Sequence, residues 1–142
     1  MVLIGPTHKQ SKIIPNNIIV INRTNNQQEL AEWYSEADIL LNLSYEETFG
    51  LTTVEGFACG TPSIVYNKTA SPELITAETG LVVEAGNFID LVESIKIIIS
   101  KGKTHYTNAC RRRAIEFYNK DDRYQDYINL YNELLNEKSC SR

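Results

Sequence analysis

The chain has few of the residues that a disulfide framework or a metal site requires. Its 142 residues include three cysteines and two histidines. Cys59, Cys110 and Cys140 are odd in number and form no Cys-x-x-Cys pair. They therefore indicate reduced thiols in a cytoplasmic protein rather than disulfides or a zinc site. Because His8 and His105 stand apart from cysteines and carboxylates at ligand spacing, we expect no bound metal.

Long apolar runs and a surplus of positive charge are also lacking. No run approaches the ~18–20 residues of a membrane span, and the apolar residues 1–5 are too few for a signal peptide. The 14 Lys and Arg against 18 Asp and Glu give a formal net charge of −4. This excludes nucleic acid as the main partner, since its binding requires a broad positive field. The basic residues 111–113 lie in a helical pattern and are interpreted as a solvated helix face or a helix-end contact.

Apolar and helical segments alternate along the chain. The predicted strands are residues 2–4, 18–21, 39–43, 63–66 and 80–83. Helices are predicted after Asn26, which has Glu29 three residues on as in an N-cap, and over residues 88–100, 108–118 and 122–136. This order predicts an α/β fold, a Rossmann-like parallel sheet of about five strands flanked by helices. Residues 1–136 are expected to form a single domain, and the polar tail 137–142 to be frayed.

Two short helices are predicted around the third and fourth strands. One begins at about Thr53 and ends at Gly60, where glycine accepts the left-handed conformation. The other opens with Ser71 as N-cap and Pro72 in its first turn. The first of these helices follows a strand directly, so its start lies at the carboxyl end of a parallel strand, where open α/β sheets bind ligands.

The residues at that helix start predict a site for an anion. Gly50 lets a ligand approach the backbone, and the free N–H groups of residues 51–54 and the helix dipole favour negative charge. Glu47 and Glu55 lie on either side, and each carboxylate can accept the two hydroxyl protons of a vicinal diol. Two diol-binding carboxylates on either side of one anion site match the chemical groups of a nucleoside-diphosphate sugar, which has a diphosphate between ribose and a second sugar.

Other readings of the same residues remain open at this point. Thr52 and Glu55 have the spacing of a capping box, which alone explains Glu55. Glu47 fits a solvated loop carboxylate, Phe49 a core or lid aromatic, and Gly50 a turn glycine. The residues by themselves predict an anion or nucleotide site and no more.

The segment resembles the Glu-x7-Glu region of retaining GT-B glycosyltransferases, family four in the usual grouping. That family has an acidic-x-Phe-Gly-Leu run, a second glutamate and a small-Cys-Gly-x-Pro stretch. The chain matches these with Glu47, residues 49–51, Glu55, residues 58–60 and Pro62. The resemblance covers residues 18–90 and implies the C-terminal half of a GT-B fold, which binds the donor.

The resemblance also implies roles for individual residues. Glu55 would bind the ribose hydroxyls, and Glu47, the candidate catalytic residue, would lie near the donor sugar and its transition state. The backbone N–H groups of Phe49, Gly50 and Leu51 would contact sugar hydroxyls, and those of Leu51 and Thr52 the diphosphate. The donor is a substrate, so no cofactor and no metal are expected.

The chain departs from the family pattern in several places. Thr69 and Ala70 stand where relatives have a glycine pair, and Asn22 and Arg23 where a glycine near the base is usual. The N-terminal acceptor-binding domain and the first strand–helix unit of the donor domain have no counterpart among these residues. The chain alone is therefore expected to be inactive, and to need a missing N-terminal half or to self-associate.

The expected function is donor binding for a retaining transferase of bacterial surface or capsular polysaccharide or other glycan biosynthesis. The expected location is the cytoplasm, with a peripheral position at the inner face of the membrane in the full-length enzyme. A noncatalytic interaction module and one piece of a split glycosyltransferase are the alternatives. A sugar-nucleotide epimerase of GT-B architecture fits less well, because the Phe-Gly-Leu run between two glutamates is typical of transferases.

Overall fold

Short apolar segments form the strands, and the segments between them form helices, in the computed structural model of this chain. The structure describes the backbone of residues 1–140 and the side chains of residues 1–136. The strands of this part are β1 (Val2–Ile4), β2 (Ile19–Ile21), β3 (Leu40–Asn42), β4 (Ser63–Tyr66) and β5 (Gly80–Val83). Its helices are α1 (His8–Ser11), α2 (Gln27–Glu36), α3 (Leu51–Ala58), α4 (Ser71–Leu74), α5 (Phe88–Lys101), α6 (Lys103–Tyr118) and α7 (Lys120–Cys140). Every strand lies within a predicted one.

All five strands pair in parallel, as predicted, and they form two ladders. In the first, Val2 of β1 faces Ile19 of β2. In the second, β4 lies between β3 and β5, so that Ser63 faces Leu40 on one side and Gly80 on the other. The α/β class with parallel strands and flanking helices is thus confirmed. In the described residues the strands form sheets of two and three rather than one continuous sheet, because no ladder joins β2 to β3.

The hydrophobic core lies between the three-stranded sheet and the helices α3, α5 and α6. All four residues of β4, the central strand, are buried. Phe57 of α3, Ile98 of α5 and Tyr106 of α6 are fully enclosed around it. The central strand is therefore enclosed on both faces, as parallel strands normally are.

The two-stranded sheet, in contrast, is poorly covered. Val2 and Leu3 of β1 are 38% and 40% exposed, and Ile19 of β2 is 56% exposed. No residue of either strand is buried. Apolar parallel strands are usually enclosed on both faces, so the β1–β2 sheet stands apart from the core in its packing.

The observed start of α2 agrees with the predicted one, and a side chain caps it. Asn26 caps α2 as predicted, since its side-chain oxygen accepts a 2.8 Å hydrogen bond from the N–H of Glu29. The predicted cap Ser71 is instead the first residue of α4, with Ala70 at the cap position and no side-chain cap bond. Among the buried side-chain polar atoms of the described residues, Ser71 Oγ is the one that has no recorded partner.

The C-terminal helices are longer than predicted. Gly102, at φ 78°, separates α5 from α6, and α6 begins directly after it rather than near residue 108. The backbone of α7 continues through residues 137–140 of the expected frayed tail, while residues 141–142 lie outside the described part. Within the described residues, no helix combines the length and apolarity that crossing a membrane requires.

Candidate functional site

The loop after β3 is tied to helix α3 by a buried amide. Asn42, the last residue of β3, is buried, and its Nδ2 donates to Thr53 Oγ1 at 3.2 Å. Its Oδ1 accepts a 2.9 Å hydrogen bond from Ser44 Oγ. These bonds fix both ends of the segment that contains Glu47 and Gly50. Sequence analysis assigned Asn42 only to a strand, because an amide within an apolar run does not reveal its partner.

Gly50 is the residue directly before α3, and its position favours glycine over residues with a side chain. Its backbone lies at φ 93° and ψ 46°, in the left-handed region that favours glycine. An added Cβ would lie 2.6 Å from Leu74 Cδ1. The helix therefore starts at Leu51, two residues before the predicted start at Thr53.

The early helix start changes which N–H groups are free. The carbonyl of Gly50 accepts from the N–H of Thr53 at 2.9 Å and from that of Val54 at 3.2 Å. The prediction of four free groups over residues 51–54 is thus wrong for the last two. In the described part of the chain, no acceptor is recorded for the N–H groups of Leu51 and Thr52. With the positive end of the helix dipole, these two can bind an anion.

Glu55 is held by a residue from another helix. Its side chain is exposed, and its Oε2 accepts a 3.0 Å hydrogen bond from the hydroxyl of Tyr34 on α2. Burial, together with the charge of Glu55, raises the pKa of Tyr34, so this hydroxyl remains protonated at neutral pH. The alternative that Thr52 and Glu55 form a capping box is wrong for α3, because Gly50 occupies the cap position and makes no side-chain bond.

Glu47 is fixed through its backbone rather than its carboxylate. Its N–H donates to Thr69 Oγ1 at 2.9 Å, and its carbonyl accepts from the N–H of Ala70 at 3.4 Å. Among the described residues, no hydrogen bond to the half-buried carboxylate of Glu47 is recorded. Thr69 lies at φ 47°, a conformation that is strained for a β-branched residue and that a glycine would adopt freely.

Phe49, Leu51 and Thr52 are exposed beside this backbone. The ring of Phe49 meets that of Tyr118 edge to face, with centroids 5.7 Å apart. The six predicted site residues therefore lie on one continuous turn and helix start. The two glutamates are held by different neighbours: residues 69–70 bind the backbone of Glu47, and Tyr34 of α2 binds the carboxylate of Glu55.

Arg113 of α6 binds the helix α4, which packs against Gly50 of the site. Its Nε donates to the carbonyl of Leu74 at 2.7 Å, and a terminal nitrogen donates to the carbonyl of Glu73 at 2.9 Å. These bonds hold α4, and with it the Leu74 side chain that packs against Gly50. Arg113 thus makes a helix-end contact, but its partners could not be identified from the sequence, since Leu74 lies 39 positions away.

A cavity of about 200 Å³ lies elsewhere, between α6 and residues 76–79. Its lining includes Thr76, Glu78, Arg112 and Arg113, and none of the six predicted residues. It is smaller than the ~300–1,000 Å³ typical of sites that enclose a small molecule. We therefore place the candidate site at the start of α3, where the free N–H groups and carboxylates are, on an open surface.

No cluster of metal ligands is present in the residues described. Groups of three or more His, Cys, Asp or Glu side chains suited to a metal ion do not occur there.

Comparison with known proteins gives a consistent group of relatives. The profile of the family "Glycosyl transferases group 1" matches residues 7–117. A GDP-mannose-dependent alpha-(1-6)-phosphatidylinositol dimannoside mannosyltransferase of Mycobacterium tuberculosis is 37% identical over 81 residues, which are 56% of this chain and 21% of that protein. An uncharacterized 41.2 kDa protein in the cps region of Klebsiella pneumoniae is 34% identical over 125 residues, 84% of this chain and 34% of that protein.

Solved structures share the fold. Sucrose-phosphate synthase of Thermosynechococcus elongatus superposes with a TM-score of 0.80 at 23% identity, over 96% of this chain and 38% of that one. The chain thus spans about a fifth to a third of the length of the curated relatives described above.

Proposed function

The chain belongs to the glycosyl transferases group 1 family, and we propose that it forms the part of a retaining transferase that binds a nucleoside-diphosphate sugar. The observation that carries this proposal is the start of α3. The N–H groups of Leu51 and Thr52, for which the described residues provide no recorded acceptor, lie there at the carboxyl end of a parallel strand, with Glu47 before them and Glu55 after them. In open α/β sheets this is the position at which nucleotides bind.

Each residue has a physical role in the proposed complex. The N–H groups of Leu51 and Thr52 bind the diphosphate, which gains negative charge as its bond to the sugar breaks. Donors that are already oriented toward that charge lower the barrier without reorganising. Glu55 accepts from the ribose hydroxyls, and Glu47 lies at the donor sugar, where its carboxylate stabilises the transition state. The backbone N–H groups of Phe49 and Gly50 contact sugar hydroxyls.

The relatives support a role in glycan assembly. One is named for a GDP-mannose-dependent mannosyltransferase, and another is encoded in a cps region. The proposal accordingly places this chain in bacterial surface or capsular polysaccharide synthesis, with a nucleotide sugar as substrate and without a metal or other cofactor. Cys59 and Cys110 are free thiols, which fits a reducing compartment, and the proposed location is the cytoplasm.

Donor binding and sugar transfer are separate parts of the proposal. Because the chain spans only 21% and 34% of the two relatives, we assign donor binding to this chain and acceptor binding to residues outside it. A second candidate, one piece of a split transferase or a noncatalytic module, is favoured by the uncovered apolar strands β1 and β2.

Isothermal titration with UDP-, GDP- and ADP-sugars tests donor binding directly. We expect one nucleotide class to bind the wild-type chain, and Glu55→Ala to weaken this binding by about tenfold or more, since a charged hydrogen-bond partner is lost. Glu93→Ala is the matched control, an exposed helical glutamate on α5 whose carboxylate contacts Lys96. A folded chain that binds none of the three sugar nucleotides would contradict the proposal.

A further inference from the structure

Tyr34 is the one described side chain whose recorded hydrogen bond reaches a carboxylate of the candidate site from another helix. Its hydroxyl donates to Glu55 Oε2 at 3.0 Å, across 21 positions of sequence. We propose that Tyr34 is a positioning residue, which holds the Glu55 carboxylate in the orientation that binds the ribose diol. This inference rests on the proposed function, since it concerns the same nucleotide site.

Tyr34 is itself held firmly. Only 9% of its surface is exposed. Its carbonyl accepts from the hydroxyl of Thr61 at 2.5 Å and from Lys103 Nζ at 3.4 Å. Thr61 is fully buried, and Lys103 also donates to the carbonyl of Ser35. The tyrosine is therefore anchored to the start of α6 and to the turn before β4, and its hydroxyl has a fixed position.

Glu55, in contrast, has an exposed side chain on the surface of α3. A free glutamate side chain populates many rotamers, and fixing one of them on binding costs conformational entropy. The bond from Tyr34 selects one orientation before the ligand arrives. Such preorganisation increases affinity without adding a contact to the ligand.

The bond to Tyr34 leaves the carboxylate able to bind a diol. An ionised carboxylate offers about four lone-pair positions on its two oxygens, and Tyr34 occupies one of them on Oε2. Oε1 and the remaining position on Oε2 stay available for two hydroxyl donors. Because burial and the charge of Glu55 both raise the pKa of Tyr34, the hydroxyl donates throughout the neutral range.

A purely structural role is the competing explanation, in which the bond only joins α2 to α3. The two roles differ in what they predict for the ligand. A positioning residue affects the contact with the ribose hydroxyls, so its loss weakens binding of a ribonucleotide and leaves that of a dideoxynucleotide unchanged. A structural residue affects both ligands to the same extent.

The experiment compares UDP, GDP and ADP with their 2′,3′-dideoxy counterparts, by titration calorimetry on the full chain. Tyr34→Phe removes the hydroxyl and keeps the buried ring. We expect it to lower the affinity for the ribonucleotide about tenfold, which corresponds to about 1.4 kcal/mol, and to leave the affinity for the dideoxynucleotide unchanged. Tyr106→Phe, at a buried tyrosine of α6 with no recorded bond to Glu55 in the described residues, should alter neither.

A double-variant cycle then tests whether the effect passes through Glu55. In a Glu55→Ala background, which has no carboxylate for Tyr34 to position, Tyr34→Phe should cause no further loss of preference for the ribonucleotide. Circular dichroism checks that each variant is folded. Should Tyr34→Phe fail to fold, Thr61→Val, which removes the donor to the Tyr34 carbonyl, should lower the preference for the ribonucleotide in the same direction.

The outcomes separate this inference from the proposed function. If the wild-type chain binds ribonucleotides and Tyr34→Phe weakens both ligands equally, or neither, the positioning role is overturned and donor binding stands. If the wild-type chain binds none of the three ribonucleotides, the proposed function is overturned and this inference with it.

Discussion

A side chain at Gly50 would destabilise the protein in two ways, through its backbone conformation and through a close contact with Leu74. Comparison with Gly86 separates the two contributions. Gly86 has a similar positive φ, 83° against 93°, but no atom lies within 4 Å of where its Cβ would be. Gly86→Ala should therefore cost about 1 kcal/mol from the backbone conformation alone. Gly50→Ala should cost roughly 1 kcal/mol more, because Leu74 must move away from the new methyl group.

Urea denaturation of both variants measures these losses in the free energy of unfolding. The difference between the two losses measures the contact with Leu74, since alanine is strained by a positive φ at both positions. Equal losses would show that the α3 start has more room than the 2.6 Å contact implies.

Cys110 predicts a decrease in stability at alkaline pH. The thiol is fully buried, and this burial raises its pKa to about 12 from the ordinary value of 9.0. Below pH 9 the thiol is protonated in both the folded and the unfolded state. Above pH 9 the unfolded chain releases the proton and the folded chain retains it, so stability falls as pH rises from about 9 to about 12.

The Cys110→Ala variant measures this contribution. One retained proton corresponds to a slope of about 1.4 kcal/mol per pH unit. The free energy of unfolding, followed by urea denaturation between pH 8 and 11, should therefore decline more steeply in the wild-type chain than in the variant. Identical slopes would mean that the thiol ionises equally well in both states.

The candidate site was predictable from sequence only in its local part. Phe49, Gly50 and Leu51 follow one another, so their pattern can be read without knowing the fold. The partners that position them lie far away along the chain: Tyr34 is 21 positions from Glu55, and Thr69 is 22 from Glu47. No local spacing predicts such pairs, because folding alone brings them together.

At the scale of single elements, the start of α2 could be located from the sequence because a side chain caps it. Asn26 was predicted to cap α2, and its oxygen accepts from the N–H of Glu29. Helix starts without a cap were misplaced: α3 begins at Leu51 after a left-handed glycine, and α6 begins at Lys103 after Gly102. At these two starts a glycine with positive φ precedes the helix, and no side chain caps it. Whether a glycine adopts such a conformation depends on tertiary packing, which local sequence does not indicate.

The cap of α2 provides a test at this scale. Asn26→Ala should lower the free energy of unfolding by about 1 kcal/mol, because the N–H of Glu29 loses its partner at the exposed helix start. Gln27→Ala, one residue later and exposed on the same helix, should change it by less than about 0.5 kcal/mol. Thermal or urea denaturation compares the two variants, and equal effects would argue against the cap.

At the scale of the whole molecule, the number of strands and their parallel direction were predictable from the sequence. Their division into a two-stranded and a three-stranded sheet was not. Each of the five segments predicted as a strand forms one, and alternation with helices gives parallel pairing. The sequences of β2 and β4 are both rich in β-branched residues, yet β4 is buried throughout and β2 has no buried residue. Which strands are enclosed depends on what packs against them, and composition does not encode this.

The division into two ladders predicts two levels of local stability. β1 and β2 pair only with each other, are three residues long and leave Val2, Leu3 and Ile19 exposed by 38–56%. A two-stranded sheet with so little buried apolar surface is marginal by itself. The three-stranded sheet lies in the core, where opening requires that Ile64 and Val83 be exposed to water.

Hydrogen–deuterium exchange of the ligand-free chain, followed by mass spectrometry of peptic fragments, measures this difference. The amides of β1 and β2 should exchange at least about tenfold faster than those of β4, since local opening of the smaller sheet leaves the core intact. A mild urea concentration should accelerate exchange in β4 and change that in β1 and β2 little, because only the opening of β4 exposes a large surface. Equal protection of the two sheets, and equal sensitivity to urea, would instead mean that they open as one cooperative unit, and that the exposed apolar face of β1 and β2 is stabilised as strongly as the core.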